Sequence, residues 1–142
     1  MIFITFVLMV ATYFTYAFFA GNIDTFLNLD SIIIVLLGFV LSSLSVSLGR
    51  KKLYFEGIKQ IFRFSAIVDK NNEISNMFKA ITIMTVIIGI VSTAQGLISS
   101  SLIENNEYSL QQVFSFAAFT TVYALIFAGL LLVPIIYLYK EN

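Results

Sequence analysis

Hydroxyl side chains lie inside an uncharged stretch toward the C-terminal end of the sequence. AAFTTVYALIFAGLLLVP, residues 117–134, contains Thr120, Thr121 and Tyr123 and ends at Pro134, the single proline of the chain. Hydroxyls deep in an apolar helix can line a hydrated path or hydrogen-bond the ionisable group of a partner. They can equally bond back to a carbonyl four residues earlier in their own helix. This stretch by itself leaves both interpretations open.

A second polar group lies in GIVSTAQGLI, residues 89–98, which contains Ser92, Thr93 and Gln95. Gly89, Ser92 and Gly96 recur at spacings of three and four, which places them on one narrow helical face. If the two stretches form consecutive antiparallel spans, their polar groups lie at a similar depth in the membrane. Two such groups together favour a functional role over simple packing.

The residue types exclude most soluble chemistry. The chain has no cysteine and no histidine, and its formal net charge is zero. Disulfides, thiolate chemistry and the usual general base are therefore unavailable, and no paired carboxylates or glycine-rich phosphate loop occur. We predict a protein that is not an enzyme, with no catalytic residue, no metal site and no cofactor. An ion pathway normally includes an intramembrane acid, so any titrating carboxylate must come from another polypeptide.

The composition is that of an integral membrane protein. The chain is 59% hydrophobic and 11% charged, and its mean hydropathy is +0.96. A helix needs about 20 apolar residues to cross a bilayer, and four runs qualify: 2–20, 31–48, 80–103 and 113–139. We therefore predict an all-α fold with four transmembrane helices in a single membrane domain, 1–142. Because no lysine or arginine precedes Arg50, we expect the first run to be a retained helix and not a signal peptide.

Charge is distributed unevenly among the connections. Basic residues between the second and third runs are Arg50, Lys51, Lys52, Lys59, Arg63, Lys70 and Lys79, and Lys140 follows the fourth. The two other connections carry only acids. The positive-inside rule then predicts that both termini and the segment 49–79 face the cytoplasm. We expect a multi-pass protein of the bacterial cytoplasmic membrane.

The segment 49–79 is expected to lie at the inner membrane surface. LYFEGIKQIFRF predicts one short amphipathic helix with Leu53, Ile58, Ile61 and Phe62 on one side. DKNN, residues 69–72, predicts a turn, and 73–79 a second short helical approach to the third span. The basic surface of Arg50, Lys51, Lys52, Lys59 and Arg63 is either an ordinary linker or a docking surface. Anionic lipid headgroups explain its charge better than nucleic acid does.

Three stretches carry a resemblance to a known family. GNIDTFLNLDSIIIVLLG (residues 21–38), GIVSTAQGLI and AAFTTVYALIFAGLLLVP are similar to successive spans of A-type stator subunits of the MotA/TolQ/ExbB proton-channel family. The MotA branch is the most similar. The matching residues are Gly89, Thr93 and Gly96 in the third span and Ala117, Thr120, Thr121, Tyr123 and Pro134 in the fourth. Ser92, Ala118 and Ala124 depart from the family pattern.

The resemblance implies an assembly. Five A-type subunits would surround two single-span B-type subunits of the MotB/TolR/ExbD kind, which carry the ion-binding aspartate. Channel-lining threonines of the family correspond by position to Thr93 and Thr121, and Ser92 and Gln95 are further candidates for the ion pathway. Residues expected to pack the helices or bend them are Gly89, Gly96, Thr120, Tyr123, Ala124 and Pro134.

One departure concerns the cytoplasmic side. Flagellar A subunits carry a large domain between the second and third spans, whereas this chain has only residues 49–79. We therefore expect an ion-motive-force-driven stator that moves protons or sodium ions and performs work other than flagellar rotation. The alternatives are a small four-span homo-oligomeric transporter and a membrane scaffold that conducts no ion.

Overall fold

The computed structural model describes residues 2–19, 28–62, 69–101 and 110–140. Within these ranges every regular element is helical. The elements are α1 (Ile2–Phe19), α2 (Leu29–Ser47), α3 (Lys51–Phe62), α4 (Asn72–Ser101), α5 (Leu110–Phe127), a π-helical segment (Ala128–Leu132) and α6 (Val133–Tyr139). The predicted all-α fold is therefore confirmed for the described part of the chain.

Three helical stretches are long and apolar enough to cross a membrane: Leu29–Ser47, Asn72–Ser99 and Ala117–Tyr139. At 1.5 Å per residue, the 19 residues of α2 extend about 28 Å, which matches the hydrocarbon core. In α1 the apolar stretch runs from Ile4 to Tyr13 and is shorter than these three. The length and composition of these three helices indicate a membrane protein.

The longest helix includes the predicted helical approach to the third span. Residues 73–79 are helical and continuous with that span, because α4 runs over 30 residues from Asn72. Such a helix is about 45 Å long and exceeds the hydrocarbon thickness, so its first turns project beyond the bilayer. The turn predicted at 69–72 ends in a cap, since Asn71 Oδ1 accepts a hydrogen bond from the Glu73 amide at 2.9 Å.

The central element of the bundle is α4, which packs against α2, α3, α5 and α6. Its first turns, α3 and α6 meet at one end of the bundle, which we call the basic end because it carries Lys51, Lys52 and Lys59. The side chains of the main core lie there: Ile61, Ile74, Met77, Phe78, Ile81, Leu131, Leu132, Ile135 and Tyr139. Phe6, near the start of α1, also packs against this core.

Hydrogen bonds join the two chain segments that meet at the basic end. The Asn71 amide donates to the Tyr139 carbonyl at 3.0 Å, and Ser75 Oγ donates to the Ile136 carbonyl at 3.0 Å. These bonds fix the start of α4 against the end of α6. They therefore help to set how α4 packs against the fourth predicted span farther along the bundle.

Candidate functional site

The third and fourth predicted spans are in close contact at Gly89. A Cβ placed on this glycine would lie 2.5 Å from Ala124 Cβ and 3.2 Å from the Thr120 carbonyl oxygen. No side chain larger than hydrogen fits without moving one of the helices. Gly89 of α4 and Ala124 of α5 therefore allow the two backbones to come into contact.

This close contact brings Thr93 and Thr121 together. Thr93 Oγ1 lies 2.8 Å from Thr121 Oγ1, and it donates to the Ala117 carbonyl at 2.8 Å. Thr121 Oγ1 also lies 3.3 Å from the Gly89 carbonyl oxygen. Both threonines are half-buried, so the pair is held between the helices and still reaches the surface of the single chain.

Five other hydroxyls in the described helices behave differently. Each donates to a carbonyl four residues earlier in its own helix, and they belong to Thr12, Thr15, Ser42, Thr82 and Thr85. This is the ordinary way in which a lone hydroxyl is satisfied in an apolar helix. Thr93 and Thr121 instead bond across α4 and α5, so their placement is not explained by local hydrogen bonding.

The donor assignment shows what the pair can do. Because the one proton of Thr93 goes to the Ala117 carbonyl, the 2.8 Å bond between the two hydroxyls takes the single proton of Thr121, and the longer 3.3 Å contact of Thr121 with the Gly89 carbonyl is its alternative acceptor. Both protons are then used, while lone pairs remain on each oxygen. The pair can therefore accept a hydrogen bond from an acid or a hydrated proton, or ligate a cation, without losing its own bonds.

Thr120 belongs to a separate polar cluster. Its Oγ1 lies 2.8 Å from Ser31 Oγ of α2, and each residue is only 4% exposed. The Asn28 amide donates to Tyr123 Oη at 3.4 Å, and the Asn28 side chain accepts from the Ser31 amide at 3.1 Å. Thr120 and Tyr123 thus join α5 to the beginning of α2.

The remaining pathway candidates are not hydrogen-bonded to the threonine pair among the bonds of the described residues. Ser92 is half-buried and Gln95 is exposed on α4. Among the described residues, the hydrogen bonds of the pair involve neither of them. Gly96 lies beside Ala117, with 3.5 Å between the two Cβ positions. Of the four predicted pathway residues, Thr93 and Thr121 are therefore the two that are hydrogen-bonded to each other.

Pro134 follows an irregular part of the fourth span. The five residues Ala128–Leu132 form a π-helical segment, and the Val133 amide donates to the Ala128 carbonyl. Proline has no amide hydrogen, and its ring collides with the carbonyl four residues earlier in a regular α-helix. The wider π-helical turns lie directly before Pro134, and α6 then continues to Tyr139.

The predicted basic surface lies on α3 and just before it. Arg50, Lys51, Lys52 and Lys59 are exposed, whereas Arg63 lies outside the described residues. Of the acids in the two other connections, Asp24, Glu104 and Glu107 are also outside them, whereas Asp30 lies in the first turn of α2. Over the described ranges, no group of three or more His, Cys, Asp or Glu side chains could hold a metal ion.

The sequence interpretation missed Asn28 and Ser31. The letters NLDS before an apolar run are a helix-start signal, since an asparagine cap bonds the amide three residues later. This signal predicts the cap of α2 that is observed. It does not predict that Ser31 Oγ pairs with Thr120, because that contact depends on how α2 packs against α5.

Comparisons with known proteins identify no family. No family model matches the chain, and no curated protein and no solved structure gives a significant match.

Proposed function

We propose that this chain is the A-type subunit of a stator driven by ion-motive force. Five copies would surround two single-span B-type subunits of the MotB/TolR/ExbD kind in a bacterial cytoplasmic membrane. Both termini and α3 would face the cytoplasm, and protons or sodium ions would pass along α4 and α5. The observation that carries this proposal is the half-buried Thr93–Thr121 pair, which bonds across two helices and has no intramembrane acid of its own.

The hydrogen bonds of the pair suit a carboxyl group supplied by the partner. A protonated aspartic acid can donate to a free lone pair of Thr121 while the bonds within the pair remain. A deprotonated aspartate only accepts, so it needs the proton that Thr121 gives to Thr93. The protonated and deprotonated forms of the partner's aspartate would therefore make different hydrogen bonds with the Thr93–Thr121 pair. That difference can couple ion release to movement of the A subunits relative to the B subunits.

Gln95 supports an assembly of several subunits. It is exposed at helical spacing from Ile87 and Val91, which are also exposed. A carboxamide facing hydrocarbon without a partner costs several kcal/mol. A neighbouring copy or a B-type subunit that covers this face of α4 would supply that partner, so the exposed position favours an oligomer.

The short cytoplasmic part limits the work that such a stator could perform. In the described part of the segment 49–79, the helices are α3, with 12 residues, and the first turns of α4. This leaves no large domain of the kind with which flagellar stators contact a rotor. We propose that the complex drives a different membrane or envelope process.

Native mass spectrometry of the complex purified from its own membrane tests the proposal. Five copies of this chain with two copies of a single-span, aspartate-bearing protein would support it. A dimer or tetramer of this chain alone would contradict it. Saturable, gradient-coupled uptake by the purified chain would then favour a transporter, and absence of any flux would favour a scaffold.

A functional test uses Thr121→Val, which preserves the shape of the side chain. A hydrogen bond to a charged group contributes about 1.5–3 kcal/mol, so ion flux should fall by about tenfold to a hundredfold. Thr85→Val is the matched control, because Thr85 bonds only its own helix at Ile81. Unchanged flux in a normally assembled Thr121→Val complex would remove Thr121 from the mechanism.

A further inference from the structure

The amphipathic helix α3 has one side that packs against the bundle and one side that is exposed. Its inner side is attached to the bundle: Gly57 and Ile61 are buried, and Tyr54 stacks on Phe78 of α4 with ring centres 5.9 Å apart and planes 3° apart. A Cβ on Gly57 would collide with the Phe78 ring. The apolar side of α3, which was predicted to face the membrane surface, therefore packs against α4 within the protein.

The outer side of α3 remains uncovered in the single chain and combines aromatic with basic residues. Phe55 is 57% exposed and Phe62 is 61% exposed, whereas Ile61, predicted on the same side as Phe62, is buried. A shallow cleft of about 600 Å³ is lined by Lys51, Lys52, Phe55, Glu56 and Lys59. The helix carries three lysines against one glutamate, so its charge complements an anion.

The position of this side is set by the turn after α2. Gly49 has a φ of +84°, a conformation that glycine adopts without steric cost, and the Arg50 amide donates to the Ser47 carbonyl at 2.8 Å. Three residues separate the end of α2 from Lys51, and three extended residues span at most about 10 Å. Because α2 matches the bilayer in length, Lys51 and Lys52 must lie near the lipid headgroups.

We propose that the outer side of α3 binds the anionic phospholipids of the membrane. The phosphate of a phosphatidylglycerol-type headgroup would occupy the cleft between Lys51, Lys52 and Lys59. Phe55 would insert beside it at the level where aromatic rings accumulate at membrane surfaces. Lipid would then hold one side of α3 while Phe78 holds the other, and this contact does not depend on ion conduction.

The chain contains no tryptophan, so a single Phe55→Trp substitution introduces a unique fluorophore at the cleft. The full-length variant is reconstituted in vesicles in which either the phosphatidylglycerol or the phosphatidylcholine carries bromine, at equal mole fraction. We expect stronger quenching by the brominated anionic lipid. Since each basic residue near an anionic surface strengthens attraction about fivefold, the preference should vanish in a Lys51→Gln/Lys52→Gln/Lys59→Gln background.

Phe114→Trp is the matched control, because Phe114 is 61% exposed on α5 and lies far from α3 in the sequence. It should be quenched equally by the two lipids. Equal quenching at Phe55→Trp, or a preference that survives loss of the three lysines, would overturn the proposal. Quenching at Phe114→Trp with none at Phe55→Trp would also overturn it, because the cleft would then not contact lipid.

Discussion

Thr120 and Thr121 are adjacent in the sequence and belong to different environments. Thr120 is 4% exposed and bonds Ser31 of α2, in a cluster that the chain closes by itself. Thr121 is half-buried and bonds Thr93 of α4, with lone pairs left over. Successive residues on a helix differ by about 100°, so one helix can present these two hydroxyls to two different neighbours.

The difference separates a hydroxyl that holds the fold from one that is available to a partner. Loss of Thr120 leaves a buried Ser31 hydroxyl without its partner, whereas Thr93 keeps a second acceptor at the Ala117 carbonyl when Thr121 is lost. Substitution of Thr120 should therefore lower stability more than it lowers ion flux. Substitution of Thr121 should lower ion flux more than it lowers stability. The free energy of unfolding, measured by SDS titration of the purified chain, provides one scale for the comparison.

The largest loss is expected for Gly89→Val, which would break the contact on which the Thr93–Thr121 pair depends. The added side chain would meet Ala124 Cβ and the Thr120 carbonyl. Overpacking of this kind costs about 3 kcal/mol. Gly129→Val is the control, because a Cβ on Gly129 meets nothing within 4 Å. Similar losses in the two variants would show that close approach at Gly89 is unimportant.

Thr120→Val should give the next largest loss, about 2 kcal/mol, because it leaves the Ser31 hydroxyl buried and unpaired. Replacing both partners removes that penalty, so the double variant Ser31→Ala/Thr120→Val should be close to the original protein. Additive losses in this double-mutant cycle would disprove the proposed coupling between Ser31 and Thr120.

Thr121→Val should lower stability by only about 0.6 kcal/mol, the average for a hydrogen bond between membrane helices. Its main effect should be on ion flux, as described above. A stability loss at Thr121 equal to that at Thr120 would mean that the two hydroxyls have the same structural role, and the contrast between them would then disappear.

Thr85→Val should have the smallest effect, within about 0.5 kcal/mol in either direction. Thr85 is fully buried, and its hydroxyl bonds only the Ile81 carbonyl of its own helix. Bonds of this local kind slightly destabilise helices. A large loss of stability would show that burial of the hydroxyl, and not bonding across helices, distinguishes the threonines.

Three of the four predicted spans correspond to helical stretches long and apolar enough to cross a membrane, whereas the apolar stretch in the first run, 2–20, is shorter. The second and fourth runs agree with α2 and with the stretch that ends at Tyr139 to within a few residues. The helical approach predicted at 73–79 agrees with the start of α4 at Asn72, although the apolar run begins only at residue 80. Hydropathy marks where a helix enters lipid, and it does not mark where the backbone becomes helical.

The basic end was the least predictable part. Its sequence, between Gly49 and Lys79, was interpreted as a linker with a surface helix. It contains instead one half of the main core, in which Ile61, Ile74 and Phe78 meet Ile135 and Tyr139. These contacts join residues more than 50 positions apart, which no local pattern encodes.

By itself the sequence determined that the chain is helical and of membrane character, and which hydroxyls lie inside its apolar runs. Long uncharged segments must satisfy their own backbone groups in lipid, and the helix does so locally. The direction in which each hydroxyl bonds was decided only by tertiary structure. The close contact at Gly89 brings Thr121 to Thr93, and the packing of α2 on α5 brings Thr120 to Ser31, because a hydroxyl bonds the nearest available group that packing supplies.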